Sequence, residues 1–434
     1  MSKARSVAAL SFFTSLIRVI GGPVTILLVS SILTIEEMGF YYTFFSFISM
    51  AQLFEIGVGF VLKQYYSHDC KHDENGKITP ESKQVCGRLF RFSVQWYSVL
   101  SVIYVLALIP FGFLYFADYA GDVNWTFAYI VLIISTSLRV SVNVFDSYLD
   151  GMQHQVALNK VRLFSSLSMS FSLWLCIYLD LKLVSLGISQ LVYVIVFIVF
   201  LYKNKSEYLG EIDFKLKDYS FKSEMTRIFP LLGRTSVVWF FGYFFWNGFT
   251  LLSFKLYGAE TAGMIGLSIA LARGGYDVAS SFMINQRTII ANYLGNDKFT
   301  DAYGLFRKYF LFSTAVLICG YTGFFLLKFI MPSFYLFDKV INDVDLVTIF
   351  GFYVLVLIMT GMNNFVRAYK IEPFLFLSIY NAISVPLAFY ITSILGWDKI
   401  FLLSVLVFLP SILYSGMFFL KKTRESKLSV RNAM

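Results

Sequence analysis

The sequence predicts an all-α polytopic membrane protein of about twelve transmembrane helices in two six-helix lobes, with both termini cytoplasmic. Three observations carry the prediction. The chain is 57% apolar and only 15% charged, whereas a soluble domain rarely falls below about a quarter charged. Its apolar runs approach the roughly 20 helical residues that span the hydrocarbon core. Its Lys and Arg fall on alternate sides of those runs, as the positive-inside rule requires.

The runs lie near 8–31, 38–62, 89–117, 125–149, 163–179 and 183–202 in the first half, and near 228–254, 262–286, 309–331, 346–366, 374–395 and 400–420 in the second. The first is too long for the apolar region of a signal peptide and lacks a small-residue cleavage pattern, so it reads as a retained helix. The fifth and sixth are separated only by Asp180-Leu181-Lys182, a tight hairpin. None alternates as a barrel strand would. With Lys3 and Arg5 inside, and with Arg91 and Lys328 at the run ends counted with their adjoining loops, 27 of the 36 Lys and Arg are cytoplasmic, 5 lie on the outer side and 4 lie inside spans. This asymmetry accounts for the net charge of +9 and leaves none to suggest nucleic acid.

The longest polar insert, 203–227, separates an N-terminal six-helix lobe (1–202) from a C-terminal one (228–420), and a cytoplasmic tail follows at 421–434. The offset that lays Glu36-x-x-Gly39 on Glu260-x-x-Gly263 also lays Lys63 on Arg287. Both halves begin and end inside, so the repeat is parallel.

Several chemistries are excluded. The sole Gly-Lys pair, Gly76-Lys77, lacks the rest of a phosphate-binding loop, so nucleotide hydrolysis is not expected. The three His (68, 72 and 154) all fall in loops. His68-Asp69-Cys70-Lys71-His72 with Cys86 matches no usual zinc spacing, and no metal or cofactor is expected. The four Cys are too scattered for a disulfide framework, and Cys70 and Cys86 face a reducing cytoplasm. Loops of about 25 residues at most leave no room for a glycosyltransferase domain.

Two in-to-in bundles of six resemble the MOP superfamily of exporters, which includes multidrug (MATE) transporters and polysaccharide flippases. Within it, QLFEIGVGFVLKQYY at 52–66 looks like the acidic-Gly-x-Gly segment of Wzx-type O-antigen flippases. DGMQHQVALNKVR at 150–162 resembles their Gly-x-x-Gln loop between the fourth and fifth helices, and EEMGFYYTFFSF at 36–47 their second-helix start. The resemblance implies a bacterial inner (cytoplasmic) membrane location, a role in lipopolysaccharide and O-antigen biosynthesis, and an undecaprenyl-pyrophosphate-linked oligosaccharide as substrate. It also implies membrane lipids, a polysaccharide polymerase and a chain-length regulator as partners.

The informative residues are the ions inside the spans. A guanidinium at mid-depth costs about 2.5–3.5 kcal/mol on the insertion scale. Counted at about 1.5 Å of rise per residue, Arg18, Arg139 and Arg273 fall near the midplane. Arg234 lies close enough to the cytoplasmic headgroups to snorkel. Arg273 has Asp277 at i+4, and Arg139 has Asn143 and Asp146 at i+4 and i+7, so for each a helix-internal structural pair stands beside a lumen role. Arg18 has no acidic residue in its own span and precedes Gly21-Gly22-Pro23, which is expected to open the helix. It faces a lumen or pairs with Glu55 or Asp146 of another helix.

A cationic lumen attracts anions, and guanidinium forks fit phosphate oxygens. Arg18, Arg139, Arg273 and Arg234 are therefore the substrate-binding candidates. Asp277, Asp146 and Glu55 are the ion-coupling candidates. The expected function is a flippase, not an enzyme, moving a lipid-linked oligosaccharide from the cytoplasmic to the periplasmic leaflet by alternating access. The alternatives are a MATE-like drug or metabolite antiporter and a membrane polysaccharide polymerase.

Overall fold

The computed structural model describes residues 21–70, 79–208, 210, 212, 219–369 and 371–433. Among them there is no strand. Fifteen α-helices carry these residues: α1 (Gly21–Ile32), α2 (Ile35–Ser49), α3 (Ala51–Glu55), α4 (Val58–Asp69), α5 (Pro80–Tyr115), α6 (Thr126–Gly151), α7 (Gln155–Tyr178), α8 (Val184–Lys203), α9 (Lys205–Tyr208), α10 (Phe221–Ile284), α11 (Arg287–Gly295), α12 (Phe299–Ile330), α13 (Asp343–Arg367), α14 (Leu375–Ile394) and α15 (Leu402–Ala433).

Among the described residues, eight helices are long and apolar enough to cross a membrane, and α2–α3 with α4 form a ninth span bent by 47°. The 64 residues of α10 are two arms kinked at Gly258, which takes φ 79°. These arms match the predicted runs 228–254 and 262–286. Each of the twelve predicted runs thus has a helix, the first through its described part α1. Hydropathy misplaces the starts, because α5, α7 and α12 each begin about eight to ten residues before their apolar run. Their polar first turns are helical although a hydropathy window does not include them.

The chain packs as two compact units, one built on Phe40–Tyr243 and the other joining Gly22–Gly39 to Phe244–Met434. The division falls within α2 and within α10. Of the insert 203–227, Lys205–Tyr208 are helical and helix resumes at Phe221.

In the first unit α6 runs against α4, α5 and α8, and α7 returns against α8 through the 180–182 hairpin, where Asp180 and Lys182 take left-handed φ values of 58° and 44°. Small residues set the close approaches that bilayer packing favours. A Cβ on Gly187 would lie 2.7 Å from Val131, and one on Gly112 would overlap the Tyr129 ring. Phe40, Phe44, Phe47, Phe116 and Trp125 cluster around that ring. Tyr219 donates to Gln95 Oε1 at 2.6 Å and Tyr148 to the Tyr208 carbonyl at 2.7 Å, which ties the insert to this unit. There Cys70 and Cys86 form a disulfide with a Cα–Cα distance of 5.8 Å, contrary to the sequence reading. The two cysteines are sixteen apart in sequence, but α4 and α5 converge and bring them together.

In the second unit α13 packs against α12 and α15, and α14 pairs with α15. Phe249, Phe352, Phe389, Phe401 and Phe408 form its aromatic core. The first turn of α2 meets the second arm of α10 backbone to backbone: a Cβ on Gly39 would overlap the Ala259 carbonyl oxygen, and one on Gly263 that of Ile35. Lys339 follows the short turn at Phe337 and donates to the carbonyls of Ser30 and Leu33, both at 2.7 Å, which caps the end of α1. Gly21, Gly22 and Pro23, expected to open the first helix, are themselves helical.

Candidate functional site

The polar side chains of the first unit gather where its second span breaks. Glu55 is the last residue of α3, and Ile56 and Gly57 follow with φ values of 47° and 80°. Only glycine takes the second of these at little cost. Two residues on, a Cβ on Gly59 would lie 2.5 Å from Glu55 Oε1 and 2.8 Å from the Tyr97 hydroxyl. The acidic-Gly-x-Gly pattern therefore has a local reason: the first glycine turns the chain and the second leaves room for the carboxylate. Tyr97 donates to Glu55 Oε1 at 2.5 Å and the Asn143 amide to Oε2 at 3.3 Å. Glu55 is half-buried and forms no ion pair among the described residues. A carboxylate held only by neutral donors is chemically able to take up a proton or a monovalent cation.

One turn further along α4 and α6 the charges are matched. Arg162 on α7 grips Asp146 with Nε and Nη2 at 2.7 and 2.6 Å. Lys63 bridges Asp146 and Asp150 at 3.2 and 3.1 Å. Asp146 thus spends both oxygens on cations of α4 and α7, and the helix-internal pairing with Arg139 does not form. Sequence reasoning missed Arg162 because its apolar run starts one residue later, at 163, which placed this arginine in a loop.

Arg139 keeps only neutral company. Its Nη1 donates to Gln190 Oε1 at 2.5 Å and lies 3.6 Å from Met169 Sδ, and its guanidinium stacks 4.3 Å from the Tyr193 ring centre. In the second unit Arg273 also meets an aromatic ring. It lies over the Trp246 ring at 5.2 Å. That ring packs on Tyr276 with centroids 5.6 Å apart, and the Tyr276 hydroxyl reaches Thr360 at 3.5 Å. Gln190, Tyr193 and Trp246 were not singled out from sequence, since nothing in an apolar run marks which aromatic meets a cation. Arg18 and the side chain of Arg234 lie outside the described residues.

What such a fold is similar to is clear from known structures. No protein-family model matches the chain, and no curated protein matches its sequence. An inward-facing multidrug resistance MATE family transporter of the MOP superfamily superposes with a TM-score of 0.67 at 13% identity, covering 94% of this chain and 95% of that one. An outward-facing MATE family transporter of the same superfamily gives 0.61 at 13% identity, covering 97% and 96%. A MOP superfamily transporter from Pyrococcus furiosus, described as having a binding pocket of reverse polarity, gives 0.55 at 14% identity, covering 97% and 96%. The chain is a multi-pass helical membrane protein with a MATE-like fold. Its solved neighbours are MATE family transporters of the MOP superfamily.

Proposed function

We propose that the chain is a flippase that moves an undecaprenyl-pyrophosphate-linked oligosaccharide, an O-antigen repeat unit, from the cytoplasmic to the periplasmic leaflet of a bacterial inner membrane by alternating access. The observation that carries this reading is Arg139, a mid-span guanidinium with no carboxylate partner among the described residues. Leaving a cation uncompensated in the bilayer has a use when an anion visits it, and a guanidinium fork fits a pyrophosphate. Arg273 repeats the arrangement on an aromatic face, and Arg18 and Arg234 are the further cations proposed to meet the substrate. The lipid tail stays in the bilayer while the sugars follow the polar path. Polysaccharide polymerase and chain-length regulator are the proposed partners. The Pyrococcus furiosus neighbour, whose pocket polarity is described as reversed, supports the idea that this fold accommodates more than one sign of cargo.

A MATE-like antiporter is the second reading, and Glu55, held by neutral donors, is the observation that favours it. Deleting the gene separates the two. A flippase leaves the complete lipid-linked repeat unit trapped on the cytoplasmic side, and a normal periplasmic supply removes the flippase reading. Arg18→Ala should then abolish surface glycan at normal protein level, while Arg18→Lys keeps part of it.

A further inference from the structure

The two units treat one repeated cation differently. Lys63 and Arg287 occupy matching places in the repeat, at the cytoplasmic end of the second span of each half. Lys63 is neutralised by Asp146 and Asp150 from the end of α6. Arg287 has no such partner: it forms no ion pair among the described residues, and the end of α13 presents Asn364 to it instead of a carboxylate. A charge balanced in one half is open in the other.

Arg287, itself exposed, lines a small open cleft where the end of α10, the start of α12 and the end of α13 converge. Gln286, Tyr309 and Asn364 share the lining with it, and Met283 and Phe306 form apolar wall. No Asp or Glu lines the cleft. Each of the four polar side chains can donate a hydrogen bond, and among the described residues none is engaged in a side-chain hydrogen bond or ion pair. Convergent uncommitted donors with one guanidinium and no carboxylate admit an anion and repel none.

We propose that this cleft binds a phosphate group at the cytoplasmic membrane surface, through Arg287 with Gln286, Tyr309 and Asn364. The apolar wall gives the first methylenes of an attached chain a place to lie, so a lipid-borne phosphate fits better than a free one. The flippase reading gives the site a purpose, as the place where the head group is first held, but binding does not depend on that reading.

The test uses the full chain in nanodiscs of phosphatidylcholine, titrated with labelled polyprenyl phosphate and, separately, with inorganic pyrophosphate. Polyprenyl phosphate should bind, and Arg287→Gln should weaken it about tenfold, the size of one lost charge-assisted contact. Asn364→Asp should do at least as much, because it recreates in this half the neutralisation seen around Lys63. Arg307→Gln, an exposed arginine of α12 outside the cleft, should leave binding unchanged. Binding of pyrophosphate alone with the same variant pattern keeps the site and assigns it a soluble phosphate. Unchanged binding in both cleft variants, or an equal loss in Arg307→Gln, overturns the proposal. If gene deletion traps no repeat unit while Arg287→Gln still loses polyprenyl phosphate, the substrate reading falls and the site stands.

Discussion

Gly39 and Gly263 make one contact twice. Each approaches a backbone carbonyl of the other's helix so closely that a Cβ would overlap its oxygen, and the carbonyls belong to Ala259 and Ile35. The sequence offset between the two glycines is the same as that between the two carbonyl residues. Residue i meets j′ while j meets i′, which is the signature of a two-fold relation between the two segments. The weak similarity between Glu36-x-x-Gly39 and Glu260-x-x-Gly263 therefore records a physical contact.

This seam predicts a marked response to a single methyl. Gly39→Ala or Gly263→Ala should each cost about 1–3 kcal/mol, because the obstructing atoms are backbone and cannot swing aside. The double variant should cost less than the sum, since one widened seam accommodates both methyls. Gly320→Ala, where a Cβ meets nothing within 4 Å, should be neutral or stabilising. Thermal unfolding of the purified variants checks this, and equal tolerance at all three positions would contradict the contact.

Arg139 and Asp146, two turns apart on one helix, should respond in opposite ways. Arg139→Gln removes a cation whose partners are neutral, so folded yield should hold while transport is lost. Asp146→Asn leaves Arg162 facing an uncharged amide and Lys63 with Asp150 alone, and breaking such a part-exposed network costs about 1–3 kcal/mol. Folded yield and unfolding temperature, read beside a glycan-display assay, separate the two. A stable Asp146→Asn protein with an unstable Arg139→Gln one would reverse the assignment.

The cap on α1 makes a smaller prediction. The ammonium of Lys339 sits on two carbonyls at the C-terminal end of that helix, where a positive charge is favoured. Lys339→Met should destabilise the chain by about 1 kcal/mol, and Lys339→Arg by less. Protection of the α1 amides in hydrogen exchange should fall in the methionine variant alone.

Sequence reading placed the spans well because apolar length and the side of each cation are imposed by the bilayer, whatever the packing. It also marked Arg139, Arg273 and Glu55, because a charge in an apolar run is conspicuous by itself. It did not find their partners. Tyr97, Gln190, Tyr193 and Trp246 look like any other residue of an apolar helix until the helices pack. Helical spacing pairs Asp146 with Arg139, yet Arg162 reaches it from α7 in a fork that spacing cannot reveal. The bend after Glu55 was hidden for the same reason. A glycine within a span reads as a packing residue, and only its φ of 80° shows the turn.

Glu55 carries the prediction about energy. On the proposed flippase reading, and with no phosphate-binding loop in the sequence, export would draw on an ion gradient, the membrane potential or consumption of product. The potential supplies about 2.3 kcal/mol per charge per 100 mV, and it favours outward movement of an anion from a negative interior. A coupled ion adds to this only if an ionisable group can take and release it. Asp277 and Asp146 are candidates on spacing, but Asp146 is held by two cations. Glu55 has two neutral donors, a helix break beside it and Gly59 leaving space at its oxygen. Glu55→Gln keeps an acceptor for Tyr97 and so should fold normally, while removing the group that exchanges a proton or a cation. In vesicles with an imposed pH or sodium gradient its transport should lose the gradient response and retain the response to potential. If Glu55→Gln stays as sensitive to the gradient as the unaltered chain while Asp277→Asn does not, coupling belongs to the second unit.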